Sequence, residues 1–108
     1  MANTLEDKDP ADFKDYGIDW SEVLAAEVET HIESSSWRLE SPIEVDGLVI
    51  ASAAPYAPSI DGNITRIWVS SGVAKSKYKV TNTVVTGSST PRIHELTITI
   101  PVVERVVL

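Results

Sequence analysis

The stretch KYKVTNTVVTGSSTPRIHELTITIPV, residues 77–102, decides the fold. Its first part sets Tyr78, Val80, Asn82 and Val84 against Lys77, Lys79, Thr81, Thr83 and Val85. After a turn over 87–91, a second part sets His94, Leu96, Ile98, Ile100 and Val102 against Ile93, Glu95, Thr97 and Thr99. A period of two, with aliphatic residues on one side and Thr or charge on the other, is the signature of a half-buried antiparallel hairpin. Pro101 has no N–H for a ladder, so the last strand is expected to run at a sheet edge or to change role there.

Reading back from the hairpin, Ile64, Arg66 and Trp68 alternate with Thr65, Ile67 and Val69. Before them comes a loop with Pro55, Pro58 and Asp61-Gly62, and before that a strand from Leu48 to Ala53, opened by the turn Asp46-Gly47, with Leu48 and Ile50 on one face. A further strand runs from Thr30 to Leu39. Its serine run, 34–36, implies a bulge or a turn before Trp37 and Leu39 point inward together. Short strands, turn signals about every ten residues and two Trp in the strand region predict an all-β, immunoglobulin-like β-sandwich of about seven strands. Tyr78, two residues before inward Val80, stands where a tyrosine-corner residue would.

The N-terminal part reads differently. Residues 1–18 are rich in Asp, Lys, Pro and Asn with scattered apolar residues, and predict an extended arm. Asp19, with Glu22 three residues on, forms a capping-box pattern for a short helix over about 20–27, whose Trp20, Val23 and Leu24 share a face. Such a helix is unstable alone and must seat on the body. The expected organisation is an acidic docking arm over 1–28 and a sandwich over 29–108.

Charge sharpens that division. The 108 residues carry 16 acidic and 9 basic side chains, a net charge of −7. Residues 1–30 hold nine of the acids and two of the lysines, so the whole excess lies there and the remainder is neutral. A neutral body behind an acidic arm lacks the Lys and Arg footprint of nucleic-acid binding. No apolar run approaches the ~20 residues that span a bilayer, and no secretory signal is read. There is no Cys. The chain exposes about 5,900 Å² when folded against about 17,000 Å² when extended, enough burial for one core.

A catalytic set is not found. His31 and His94 lie in predicted strands without a nucleophile motif, and are read as structural. They would hold a metal only if they met in space beside a carboxylate. Asp7, Asp9 and Asp12 lack the further ligands and Gly of a calcium loop, so no metal and no cofactor are expected. Asn63-Ile64-Thr65 is a chance glycosylation sequon. Lys75, Lys77 and Lys79, spaced by two, read either as edge lysines that block aggregation or as a basic strip receiving an acidic arm, from this chain or a neighbour.

Several segments together carry a resemblance: Lys8-Asp9-Pro10, Asp-Tyr-Gly-Ile-Asp-Trp at 15–20, Ser36-Trp37, Gly47-Leu48, the run from Ile67 to Gly72, Tyr-Lys-Val-Thr-Asn-Thr at 78–83, and the strand from Arg92 to Ile100. In order and spacing the chain resembles the small fiber-tail adaptor proteins of tailed bacteriophages. The resemblance implies a virion structural protein with a compact β domain behind an N-terminal arm, and no enzymatic activity. The loop from Ala51 to Asn63, Pro-rich here, departs from the pattern.

The expected function is an adaptor joining tail or neck and fiber proteins, with those proteins and copies of itself as partners, and no nucleic acid or membrane. Asp9, Asp12, Asp15 and Asp19 would orient the arm, and Tyr16, Ile18 and Trp20 would anchor it in a partner. Assembly would take place in the host cytoplasm. The rival expectation is a capsid decoration protein or a carbohydrate-binding sandwich, the latter resting on Tyr56.

Overall fold

The computed structural model describes residues 2–4, 8, 10, 12–26, 31–87 and 91–103. The elements are β1 (Ala2–Thr4), β2 (Lys14–Asp19), α1 (Ser21–Ala26), β3 (Ile32–Ser41), β4 (Leu48–Ile50), β5 (Ser59–Asp61), β6 (Ile64–Ser71), β7 (Lys77–Thr86) and β8 (Ile93–Pro101). One sheet has the order β1-β8-β7-β3, the other β2-β6-β4 with β5 also on β6. Their inner faces meet in one core built from Tyr78, Val80, Val84, Ile98, Ile100 and Val102 on one side and Tyr16, Ile18, Leu48, Ile67 and Val69 on the other. The chain is an all-β sandwich, as the alternation requires.

The hairpin behaves as its period dictates. β7 and β8 pair antiparallel from Lys77↔Pro101 to Val85↔Ile93, burying Tyr78, Val80, Asn82 and Val84. Each aliphatic side chain so buried contributes roughly 1.5–3 kcal/mol. The serine run does not break β3, which bulges between Ile32 and Ser34 and pairs on with β7.

Pro101 is not at a free edge. β1 lies parallel along the far side of β8, from Ala2↔Thr97 to Thr4↔Thr99. Farther on, the Lys8 N–H donates to the Pro101 carbonyl at 2.8 Å, and the Val103 N–H donates to the Lys8 carbonyl at 2.8 Å. Pro101 supplies only its carbonyl on that side, so its missing N–H costs nothing there.

Residues 14–19, expected within an extended arm, are a strand of the second sheet. β2 pairs antiparallel with β6 from Lys14↔Val69 to Asp19↔Ile64. The division expected at residue 28 is therefore crossed by a complete ladder. The helix is shorter than expected at its start. Its first backbone bond runs from the Leu24 N–H to the Trp20 carbonyl, while the Asp19 carboxylate accepts from the Ser21 N–H at 2.9 Å. Residues 27–30, to which the expected helix extended, lie outside the described residues.

The tyrosine-corner expectation is met in geometry. The Tyr78 hydroxyl accepts from the Val73 N–H at 2.8 Å, bonding back to the backbone five residues upstream, and donates to Glu44 Oε1 at 2.5 Å. Gly72 makes this corner possible: its φ of 106° is open to glycine alone, and a Cβ there would lie 2.9 Å from Val102 Cγ2.

Candidate functional site

Strand alternation sorts the acidic segment into two sets. Tyr16 and Ile18 face inward and are 6% and 7% exposed; Asp15, Gly17 and Asp19 face outward. Trp20, 3% exposed, follows them into the core. The three residues expected to anchor a partner are thus anchors of this chain's own core. An antiparallel strand in register with Ile67 and Thr65 has no other place for them.

Trp20 is held by a buried polar network that crosses the sandwich. Its Nε1–H is shared between Thr65 Oγ1 and Asn82 Oδ1, both at 3.1 Å, and the Thr65 hydroxyl donates to Asn82 Oδ1 at 2.6 Å. Asn82 Nδ2 donates to Ser35 Oγ at 2.8 Å and to the Ser36 carbonyl at 2.9 Å. An indole N–H can only donate and a backbone carbonyl can only accept, so the orientation of the Asn82 amide is forced, and all four of its bonding positions are used. The network ties β3, β6 and β7 to the residue that opens α1.

What faces out is a different surface. Asp15 accepts from Arg66 Nη1 at 2.9 Å across the β2–β6 ladder, both side chains being a little over one-third exposed. Next to this pair three rings meet. Phe13 and Tyr56 lie edge to face with centroids 4.7 Å apart, and Trp68 is 5.2 Å from each. Phe13 and Tyr56 are 44% and 42% exposed, and exposed Val49 stands opposite Ser70 on the same face. Trp68 faces outward because Thr65, Ile67 and Val69 fill the inner face of β6. Asp19 is engaged locally: hydrogen bonds from the Ser21 hydroxyl, and secondarily from its N–H, hold its carboxyl below the usual range. Asp12 is half-buried. Asp9 lies outside the described residues.

The three lysines expected to form a strip are all exposed. Lys75 sits in a turn with φ 72°, off the strand, whereas Lys77 and Lys79 are exposed on the outer face of β7. β7 lies between β8 and β3, so they are not edge lysines either. They occupy the outside of one sheet and Asp15 and Asp19 the outside of the other. Within one chain, the sandwich separates them.

The outer face of the β7 sheet is polar. Arg38 donates to Glu40 at 2.5 Å and to Glu95 at 3.1 Å, Thr83 donates to Glu95 at 2.8 Å, and Thr81 and Thr97 share a hydroxyl bond of 2.8 Å. The Thr83 hydroxyl, followed by Arg38, holds the Glu95 carboxyl below its usual range. Such exposed pairs contribute little to stability. Of the two outer faces, both of which carry an Arg, the β2–β6 face is the one with an exposed aromatic cluster, the chemistry typical of protein contacts. Phe13 and Trp68 were missed as surface residues; the open alternation of β6 was the available signal, since one of its two faces had to be solvent.

His31 is exposed and 3.0 Å from Glu33, and His94 faces Val84 in the ladder. Among the described residues, no three His, Asp or Glu side chains gather as a metal site, and no helix is long and apolar enough to cross a membrane.

Comparison with curated proteins and with solved structures returned no match. A family model described as podophage GP4 fiber-tail adaptor protein gp77 matches residues 8–101, which take in β2 to β8. That family consists of structural proteins of the phage virion, acting between tail and fiber, and is not known for an enzymatic activity. By this match over most of its length, the chain belongs to the podophage GP4 fiber-tail adaptor protein family.

Proposed function

We propose that the chain joins tail and fiber proteins through the outer face of its β2–β6 sheet, with the segment 12–19 as the docking element held rigid by the sandwich. The observation that carries this reading is the cluster of Phe13, Tyr56 and Trp68 beside the Asp15–Arg66 pair. Aromatic and Arg side chains carry most interface energy, and a charged rim sets orientation. Asp12, Asp15 and Asp19 orient the face toward a basic partner surface, and copies of the chain repeat the contact around the virion, so that individually weak contacts add by avidity. Lys77 and Lys79 remain candidates to receive the acidic face of a neighbour. Assembly takes place in the host cytoplasm.

The test is incorporation of a Phe13→Ala, Tyr56→Ala double variant into particles. Loss of one central aromatic anchor is worth about 2 kcal/mol or more, roughly a thirtyfold loss of affinity. The expected result is particles depleted of the variant, with its melting temperature in isolation lowered by only a few degrees. Wild-type occupancy by the folded variant sinks the proposal. Raising salt should weaken incorporation if the carboxylates steer docking.

The same three rings beside Asp15 and Arg66 support a second reading, a saccharide site. Glycan-array binding abolished by Tyr56→Ala favours it. Copy number separates the adaptor reading from capsid decoration, which requires lattice-level abundance.

A further inference from the structure

The segment that includes β1 and Lys8 makes a contact that the docking surface does not use. We propose that the N-terminal segment carrying Ala2–Thr4 and Lys8 is exchangeable: it leaves its own β8 and occupies the β8 edge of a second copy of this chain. The β1 pairing is parallel, between residues about 95 positions apart in sequence, so no hairpin creates it. It is an extended segment laid on a ready-made edge, the geometry by which peptides add a strand to a sheet. The backbone groups that β8 offers are the same in every copy.

Lys8 supplies the recognition. It is fully buried, its Nζ donates to the Ser71 carbonyl at 2.5 Å, and its backbone bonds to Pro101 and Val103 on either side. All of these partners belong to the β8 edge or to the corner beside it, so a second copy provides them without loss. Exchange therefore changes the connection and remakes these bonds, the condition under which swapping costs little. The connection is short. Phe13 is fixed in the aromatic cluster, and five residues from Lys8 span at most about 18 Å, which limits the receiving edge to a copy packed close by. Short hinges favour swapping over self-docking.

Because the chain has no Cys, the exchange can be trapped without background. Full-length Ala2→Cys protein is mixed with tagged full-length Thr97→Cys protein and oxidised mildly; these positions are direct partners in the β1–β8 register. The expected result is a disulfide-linked pair at about twice the 11.8 kDa of one chain, rising with concentration. It should exceed by tenfold or more the yield from Ala2→Cys mixed with Ser34→Cys, whose position lies on β3, at the other edge of that sheet. A mixed yield no higher than this control, with the Ala2→Cys, Thr97→Cys double variant closing only at monomer mass, overturns the proposal. Thr97 contacts Thr81, so if that variant fails to fold the partners Thr4→Cys and Thr99→Cys repeat the test. The readout is on isolated protein and is independent of which face meets the tail.

Discussion

Replacing Trp20 with Ala tests whether the acidic segment is part of the fold. The indole is nearly fully buried between the sheets, and its N–H is bonded to Thr65 and Asn82. Truncating a buried Trp to Ala costs about 3–5 kcal/mol through lost burial and the cavity left behind. With about 2.1 cal/mol/K per residue of unfolding entropy, 108 residues give about 0.23 kcal/mol/K at the midpoint. The expected fall in melting temperature is therefore about 13–22 °C, read by calorimetry or circular dichroism on the isolated protein. Trp20→Phe keeps most of the burial and removes only the donor. Thr65 still donates to Asn82 Oδ1, so no buried oxygen is orphaned and about 1–2 kcal/mol, or 4–9 °C, should be lost. Asn82→Ala strands the Ser36 carbonyl and should cost more than Trp20→Phe. The double variant should lose less than the sum, with a coupling of about 1 kcal/mol. A folded Trp20→Ala protein melting within about 3 °C of wild type would refute the reasoning, because β2 and α1 would then not be seated on the body.

Further expectations follow from the corner and from the surface charges. Tyr78→Phe leaves the Val73 N–H without its hydroxyl acceptor and should cost about 1–3 kcal/mol in urea unfolding. Burial, and secondarily the Glu44 carboxylate, push the Tyr78 phenol above its ordinary pKa of 10. The unfolded chain then loses that proton first, so stability should fall as pH rises past 10, and less steeply in Tyr78→Phe. On the acid side, Glu95 and Asp19 are held below the usual carboxylate range, so their contribution is present above the unfolded value and lost as pH falls through the lowered one. The Glu95→Gln, Asp19→Asn double variant should show a shallower loss of melting temperature between about pH 5 and about pH 2. Gly72→Ala, with φ at 106° and Val102 in the way, should destabilise by about 1–3 kcal/mol from backbone strain alone, measured by thermal unfolding.

Much of the sandwich was legible because strands announce themselves by period. The hairpin of β7 and β8, its inward residues and the corner at Tyr78 follow from alternation and local spacing. The same rule, applied to 15–20, would have found β2: Tyr16, Ile18 and Trp20 alternate with Asp15, Gly17 and Asp19. Dense acidic charge hid that period, since carboxylates on a solvated face look the same in an arm and in a strand.

The all-β class could be read from residues and their spacing alone, because strand alternation depends on local order along the chain, and the ordered segments also carried the resemblance to the adaptor family. Which face of each strand meets its neighbour depends on pairing between distant segments, and no single segment encodes that. Tertiary structure alone decided that Trp20 would bond Asn82, that Trp68 would point outward to meet Phe13 and Tyr56, and that Lys77 and Asp15 would end on opposite sides. It also decided that β8, whose Pro101 suggested an edge, would be covered by residues 2–4 and Lys8. The net charge of −7 survives this sorting with a changed meaning: part of it is displayed on a rigid sheet face, where its direction is set by the core behind it.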